Sequence, residues 1–130
     1  MSRCRALADD KCYDKAQSQS KPTDCSQADL KQSDDKLNRL YREMEGRLKG
    51  DDDTKKLLID AQKKWVAFRD TECTFSTVWT AGGSINPMNV NICASALTDK
   101  RSQDFEDYLK CSKAGKTSED AEDCAFPGPS

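Results

Sequence analysis

Between residues 26 and 49 the apolar positions Leu30, Leu37, Tyr41, Met44 and Leu48 recur at helical steps, with Leu40 beside them. That spacing lines one face of an α-helix and predicts a helix over 26–49. Asp24 or Ser26 stands where an N-cap belongs, and Gly50 where a helix-ending glycine belongs. Asp51, Asp52, Asp53 and Thr54 then supply capping oxygens and negative charge to the positive end of a second helix. The second helix, predicted over 54–79, carries Leu58, Ala61, Trp65, Phe68, Phe75 and Trp79 at steps that make this stripe a core face. Trp79 borders the following loop, where exposure is the alternative. Residues 80–91 hold two adjacent glycines, a proline and three asparagines, which is turn chemistry. A third helix over 91–111 places Ala94, Leu97, Phe105 and Tyr108 on one face. No strand pattern or internal repeat competes. The short connection at 50–53 makes the first two helices antiparallel neighbours. The expected fold is all-α, an antiparallel helical hairpin plus a third packing helix, stapled by disulfides. Residues 1–24 read as a polar segment tied by cysteines, 25–111 as the helical domain, and 112–130 as a loosely ordered acidic tail.

Composition changes this picture in three ways. The 130 residues suit one domain, but only 35% are hydrophobic against 34% charged, so the core is small and covalent staples matter. Seven cysteines are present and no pair forms CxxC. A zinc ribbon and a thioredoxin-like redox centre therefore lack their usual spacing, which leaves thiolate zinc binding across long loops as the minor alternative. Dispersed cysteines in a short polar chain point to disulfides in an oxidising compartment. The odd count leaves one thiol unpaired or joined to another chain. The net charge of −2 gives no basic field for nucleic acid. The absence of histidine removes imidazole triads, general bases, metal ligands and pH switches. No apolar run is long enough to span a bilayer, and no leader-like h-region follows Met1. The expectation is a periplasmic or secreted monomer without metal or cofactor, its signal peptide already removed; reduced thiols in the cytosol are the alternative.

Charged residues interrupt each apolar stripe: Asp34 between Leu30 and Leu37, Glu72 between Phe68 and Phe75, and Arg101 between Leu97 and Phe105. Arg69 flanks the second stripe. An antiparallel hairpin brings Asp34 to the level of Arg69 and Glu72, and the third helix can bring Arg101 there. Two carboxylates suggest glycoside hydrolysis, yet that chemistry needs an acid with a raised pKa in an open cleft. Neighbouring arginines would lower both pKa values. The preferred reading is a structural ion network of Asp34, Arg69, Glu72 and Arg101 that fixes helix register. Arg101→Ala or Glu72→Ala is then expected to destabilise the fold rather than remove an activity. Asp51–Asp53 lack the spaced ligands of a calcium loop and read as a helix cap. The acidic run Glu119–Asp123 reads as a solvated surface.

Two motifs carry a family resemblance. Cys25-Ser-Gln-Ala-Asp-Leu-Lys-Gln-Ser-Asp-Asp-Lys-Leu-Asn-Arg-Leu-Tyr41 contains a "D-x-x-L-N-x-x-Y" run behind a cysteine. Ala61-Gln-Lys-Lys-Trp-Val-Ala-Phe-Arg-Asp-Thr-Glu-Cys73 follows "A-Q-x-x-W-x-x-F-R-D-x-E-C". With Gly82-Gly83-Ser84, Cys93 and Thr98-Asp-Lys-Arg101 in order, residues 12–109 resemble the LprI-like family of secreted and lipid-anchored bacterial proteins, named for a lysozyme inhibitor. The resemblance implies an extracytoplasmic, helical, disulfide-stapled domain without enzymatic activity. Its partner would be lysozyme or another cell-wall hydrolase; an interaction or immunity-type role with a different periplasmic protein is the alternative. Enzymatic activity is disfavoured independently, because no nucleophile–base pairing is visible.

Cys73 lies towards the end of the second helix and Cys93 near the start of the third, which makes Cys73–Cys93 the first expected disulfide. Cys12–Cys25 and Cys111–Cys124 follow from short separation alone, with Cys4 left over. The segment 81–91 is the candidate partner-binding loop: its glycines permit close backbone approach, and Ser84, Asn86 and Asn89 offer hydrogen-bonding groups. Gly82, Gly83, Ser84, Asn86 and Asn89 suit a plain connector equally well, since turns select the same residues.

Overall fold

The computed structural model describes Cys12 and residues 20–114. Three long helices, α1 (Ser20–Arg47), α2 (Asp52–Ser76) and α3 (Asn86–Ala114), are joined by a tight turn and by a 3₁₀ turn at Val78–Thr80. No strand occurs among the described residues, so the domain is all-α as its periodicity predicts. The segments 1–11 and 13–19, with Cys4, and the tail from 115, with Cys124 and therefore the expected Cys111–Cys124 bond, lie outside the described residues. Both expected staples within reach are present: Cys12–Cys25, with Cα atoms 5.9 Å apart, and Cys73–Cys93, with Cα atoms 5.6 Å apart.

The α1–α2 joint follows from local chemistry. Gly50 adopts φ 93°, a left-handed conformation that reverses the chain at little cost only for glycine. Asp51 then caps α2, its Oδ1 accepting from the Thr54 N–H at 3.2 Å, while Asp52 and Asp53 occupy the first turn.

Two helix starts come earlier than the periodicity suggests. α1 begins at Ser20, so Lys21-Pro22 is not a break; proline in a first turn lacks only an N–H that would have no helical partner. Ser26 is not a cap but a buried contact: its Oγ donates to the Thr23 carbonyl at 2.7 Å and accepts from Asn91 Nδ2 at 3.1 Å. α3 begins at Asn86, with Pro87 in its first turn, which shortens the expected loop from its far end.

Cross-contacts fix the packing. Asn91 meets Ser26, Ser33 Oγ donates to Asp99 Oδ1 at 2.6 Å, and Arg47 Nη1 donates to the Leu109 carbonyl at 3.2 Å. Residue numbers rise together on both helices, so α1 and α3 run parallel, with α2 antiparallel to both. The most extensive interface is between α1 and α3, and its two halves differ. Towards the C-terminal ends Leu37, Leu40, Met44 and Leu48 enclose Phe105 and Leu109, with Tyr41, Leu58, Trp65 and Tyr108 packed around them. Towards the N-terminal ends the buried residues are small or polar: Cys25, Ser26, Asp29 and Ser33 on α1, Ala94, Ser95, Thr98 and Ser102 on α3. The hydroxyls of Ser95 and Ser102 have no hydrogen-bond partner among the described residues. At the rim of the apolar half, the Tyr41 phenol is pushed above its ordinary 10.0 by partial burial and then by the Glu45 carboxylate.

The aromatic stripe of α2 is where structure and periodicity part. Its inward positions are Leu58 and Trp65 on the core, Gln62 on Arg101, Arg69 on Asp34, Cys73 in the disulfide, and Thr77 against Asn86. Phe68, Phe75 and Trp79, expected in the core, are 54%, 72% and 87% exposed. A helix turns about 100° per residue, so the inward contacts of Arg69 and Cys73 roll their neighbours Phe68 and Phe75 out towards solvent. Leu58 and Trp65 turn inward as hydrophobicity demands, but beyond them an ion pair and a disulfide set the roll of α2.

Candidate functional site

The end of the bundle formed by the close of α2, the 3₁₀ turn and the start of α3 presents the most unusual surface. Three layers of contacts brace it. Thr77 Oγ1 donates to the Cys73 carbonyl at 2.6 Å, and Thr80 Oγ1 donates to the Thr77 carbonyl at 3.0 Å. Across the loop, Asn86 Nδ2 reaches the Thr77 carbonyl at 3.1 Å and Thr80 Oγ1 at 3.0 Å, and Asn89 Nδ2 reaches the same hydroxyl at 3.3 Å. The Cys73–Cys93 disulfide closes the base.

This bracing divides the predicted loop. Gly82, Gly83 and Ser84 form an exposed tip, with Gly82 at φ 84°. Asn86 and Asn89 face inward and spend their amides on the 3₁₀ turn, so their geometry is that of latches. On either side of the tip in sequence lie side chains that periodicity assigned to the core or passed over: Phe75, Val78, Trp79, Ile85 and Ile92, all exposed. A sequence signal for this surface does exist. Residues 73–98 contain no Asp, Glu, Lys or Arg, in a chain where these make up 34%. Such a gap identifies a region that cannot rely on charge for solvation.

The four stripe charges do not assemble as one group. Arg69, its side chain 14% exposed, donates through Nη1 to Asp34 Oδ1 at 3.0 Å and to Thr98 Oγ1 at 3.3 Å, and through Nε to Asp70 Oδ1 at 3.0 Å. It thereby links all three helices. Arg101 makes no ion pair among the described residues: its Nε donates to Gln62 Oε1 at 3.2 Å, and its guanidinium lies 4.7 Å from the Phe105 ring centre and 5.9 Å from that of Trp65, the ring over which Arg69 also lies at 5.5 Å. Glu72 makes no ion pair among the described residues. Arg69→Ala should therefore cost about 1–3 kcal/mol, the worth of charged hydrogen bonds in a partly buried site. Glu72→Ala should stay within about 0.5 kcal/mol. Urea titrations of both variants check this; a Glu72→Ala loss as large as that of Arg69→Ala would return Glu72 to the network.

The two carboxylates of the expected pair stand on different footings. Asp34 is held by Arg69, whereas Glu72 stands apart. Along the outer face of α1, Asp24, Gln27, Leu30, Lys31 and Asp34 line an open depression. Among the described residues no group of three Cys, Asp or Glu side chains is placed to hold a metal ion. No helix among them is long and apolar enough to cross a membrane.

Comparison with known proteins adds three findings. Residues 11–105 match the family described as lysozyme inhibitor LprI. An uncharacterized protein of Rhizobium meliloti (strain 1021) is 30% identical over 107 residues, which covers 74% of this chain and 77% of the relative. No solved structure matches the chain.

Proposed function

Because the chain belongs to the lysozyme inhibitor LprI family, we propose that it is an extracytoplasmic, non-enzymatic binding protein that inhibits lysozyme or another cell-wall hydrolase. The family match over residues 11–105 carries this reading. The two disulfides support the compartment, since such bonds persist where thiols are not kept reduced. The exposed tip Gly82–Ser84, fastened at its base by Cys73–Cys93, supports a contact made through an irregular segment whose ordering entropy is already spent. Inhibition then works by occlusion: the domain covers the hydrolase cleft and contributes no bond-making group.

The test is a titration of lysozyme activity with the oxidised protein. The expected outcome is a fall in rate that reaches its floor near molar equivalence. Full activity at a large excess of the protein would sink the reading, as would turnover of cell-wall glycan by the protein alone. Co-purification of a different secreted protein, without inhibition, would assign an interaction or immunity role instead.

A further inference from the structure

Phe75, Val78, Trp79, Ile85 and Ile92, together termed the apolar crown, are all exposed and all fall within the segment 73–98, which holds no charged residue and carries the glycine tip. Large exposed apolar side chains concentrated in one segment of a small domain mark an interaction surface more often than singly scattered ones do. Two further observations sharpen this. Trp79 is 87% exposed, yet it sits on a turn fixed by Thr77, Thr80, Asn86 and the nearby disulfide. The fold therefore holds an indole in water at a defined position, which is the arrangement of a pre-organised anchor. Interface centres are also depleted in charge and enriched in aromatics, and the crown, with Phe75 and Trp79 in a charge-free segment, has that make-up.

We infer that the crown, with Trp79 as its anchor, enters the saccharide-binding cleft of the hydrolase that the domain inhibits. The inference rests on the inhibitory reading above and adds the surface and the chemistry of the cleft to it. Glycoside-hydrolase clefts carry a pair of carboxylates at the scissile bond. An inserted group bearing Asp or Glu would meet like charge in a desolvated space, and one bearing Lys or Arg would leave its own hydration there. A charge-free crown incurs neither cost. It also matches what such a cleft is built to hold, since sugars present apolar ring faces edged by hydroxyls. The crown and tip likewise offer exposed aromatic rings, Trp79 and Phe75, and an exposed hydroxyl residue, Ser84. The acidic outer face of α1, with Asp24, Asp34 and Asp35, lacks that match.

The experiment compares wild-type protein, Trp79→Ala and Leu57→Ala in lysozyme titrations, alongside sedimentation with anionic and zwitterionic lipid vesicles. Leu57 is 70% exposed on α2 far from the crown and serves as the apolar control. Melting curves of both variants should match the wild type, since neither side chain is buried. Trp79→Ala should inhibit about 30-fold more weakly, the loss typical of a central aromatic anchor, and Leu57→Ala should inhibit as the wild type does. Equal inhibition by Trp79→Ala and wild type overturns the crown and leaves the inhibitory function standing. Equal weakening by both variants moves the contact to the side of α2 and also overturns it. Vesicle binding that Trp79→Ala abolishes while inhibition persists reassigns the crown to a lipid surface. A wild-type protein that does not inhibit overturns both the function and the crown.

Discussion

Phe105→Ala is expected to lower the unfolding free energy by about 3–5 kcal/mol, the usual range for deleting a fully buried aromatic ring. Phe105 is 0% exposed and its ring centre lies 6.5 Å from those of Tyr41 and Tyr108. Arg101 stacks over the same ring at 4.7 Å. The substitution thus empties the apolar half of the α1–α3 interface and removes the surface on which a guanidinium rests. Phe75→Ala deletes the same atoms from a side chain that is 72% exposed and should change stability by no more than about 0.5 kcal/mol. Urea denaturation of the two variants measures the difference directly. Similar losses at both positions would mean that α2 buries its aromatic stripe and that the core lies elsewhere.

Replacing Cys73 and Cys93 together with alanine should cost about 3 kcal/mol, from the entropy of a closed loop of this length. The bond spans a sequence separation of 20 and Cys73 is 1% exposed. The double variant should keep its helical spectrum, because the apolar half of the α1–α3 core lies away from this end. Its inhibitory strength should fall further than its stability suggests, since the turn carrying Trp79 loses its base. Melting under reducing and oxidising conditions provides the check: a variant as stable as the oxidised wild type would show that the hydrogen bonds of Thr77 and Asn86 suffice.

Much of this architecture is written in short-range signals. Gly50 and the aspartates after it locate the α1–α2 turn, because a left-handed residue followed by capping carboxylates has few other uses. The Cys73–Cys93 bond follows from where two helices end and begin. The roll of α2 is not legible in that way. Periodicity ranks Phe68 and Phe75 above Arg69 and Cys73 by hydrophobicity, but the inward face is chosen by what those two bond to on other helices. The same shortfall hides the small polar seam of Ser26, Ser33, Ser95, Thr98 and Ser102, which no hydrophobic stripe would reveal. For the candidate site, the glycine tip was readable as a loop, whereas the inward turn of Asn86 and Asn89 depends on Thr77 and Thr80 across it. The crown was legible only through the missing charges of residues 73–98, a feature of what is absent from the sequence.

Setting the first helix against the third gives this chain an unusual folding problem for an all-helical domain. Small helical bundles assemble quickly because their contacts are local along the chain. Here the defining contacts join residues 62 to 66 apart, from Arg47–Leu109 to Ser33–Asp99. The α1–α3 nucleus must close a loop that includes the whole of α2 before it gains its core, and that closure is an entropic toll taken in advance. α2 packs on that pair through Trp65 and Arg69 along its length and the cysteine bond at its end. A Cys73–Cys93 bond closed before the helices pair shortens that loop by its sequence separation of 20, so the oxidised chain is expected to refold faster than the reduced one.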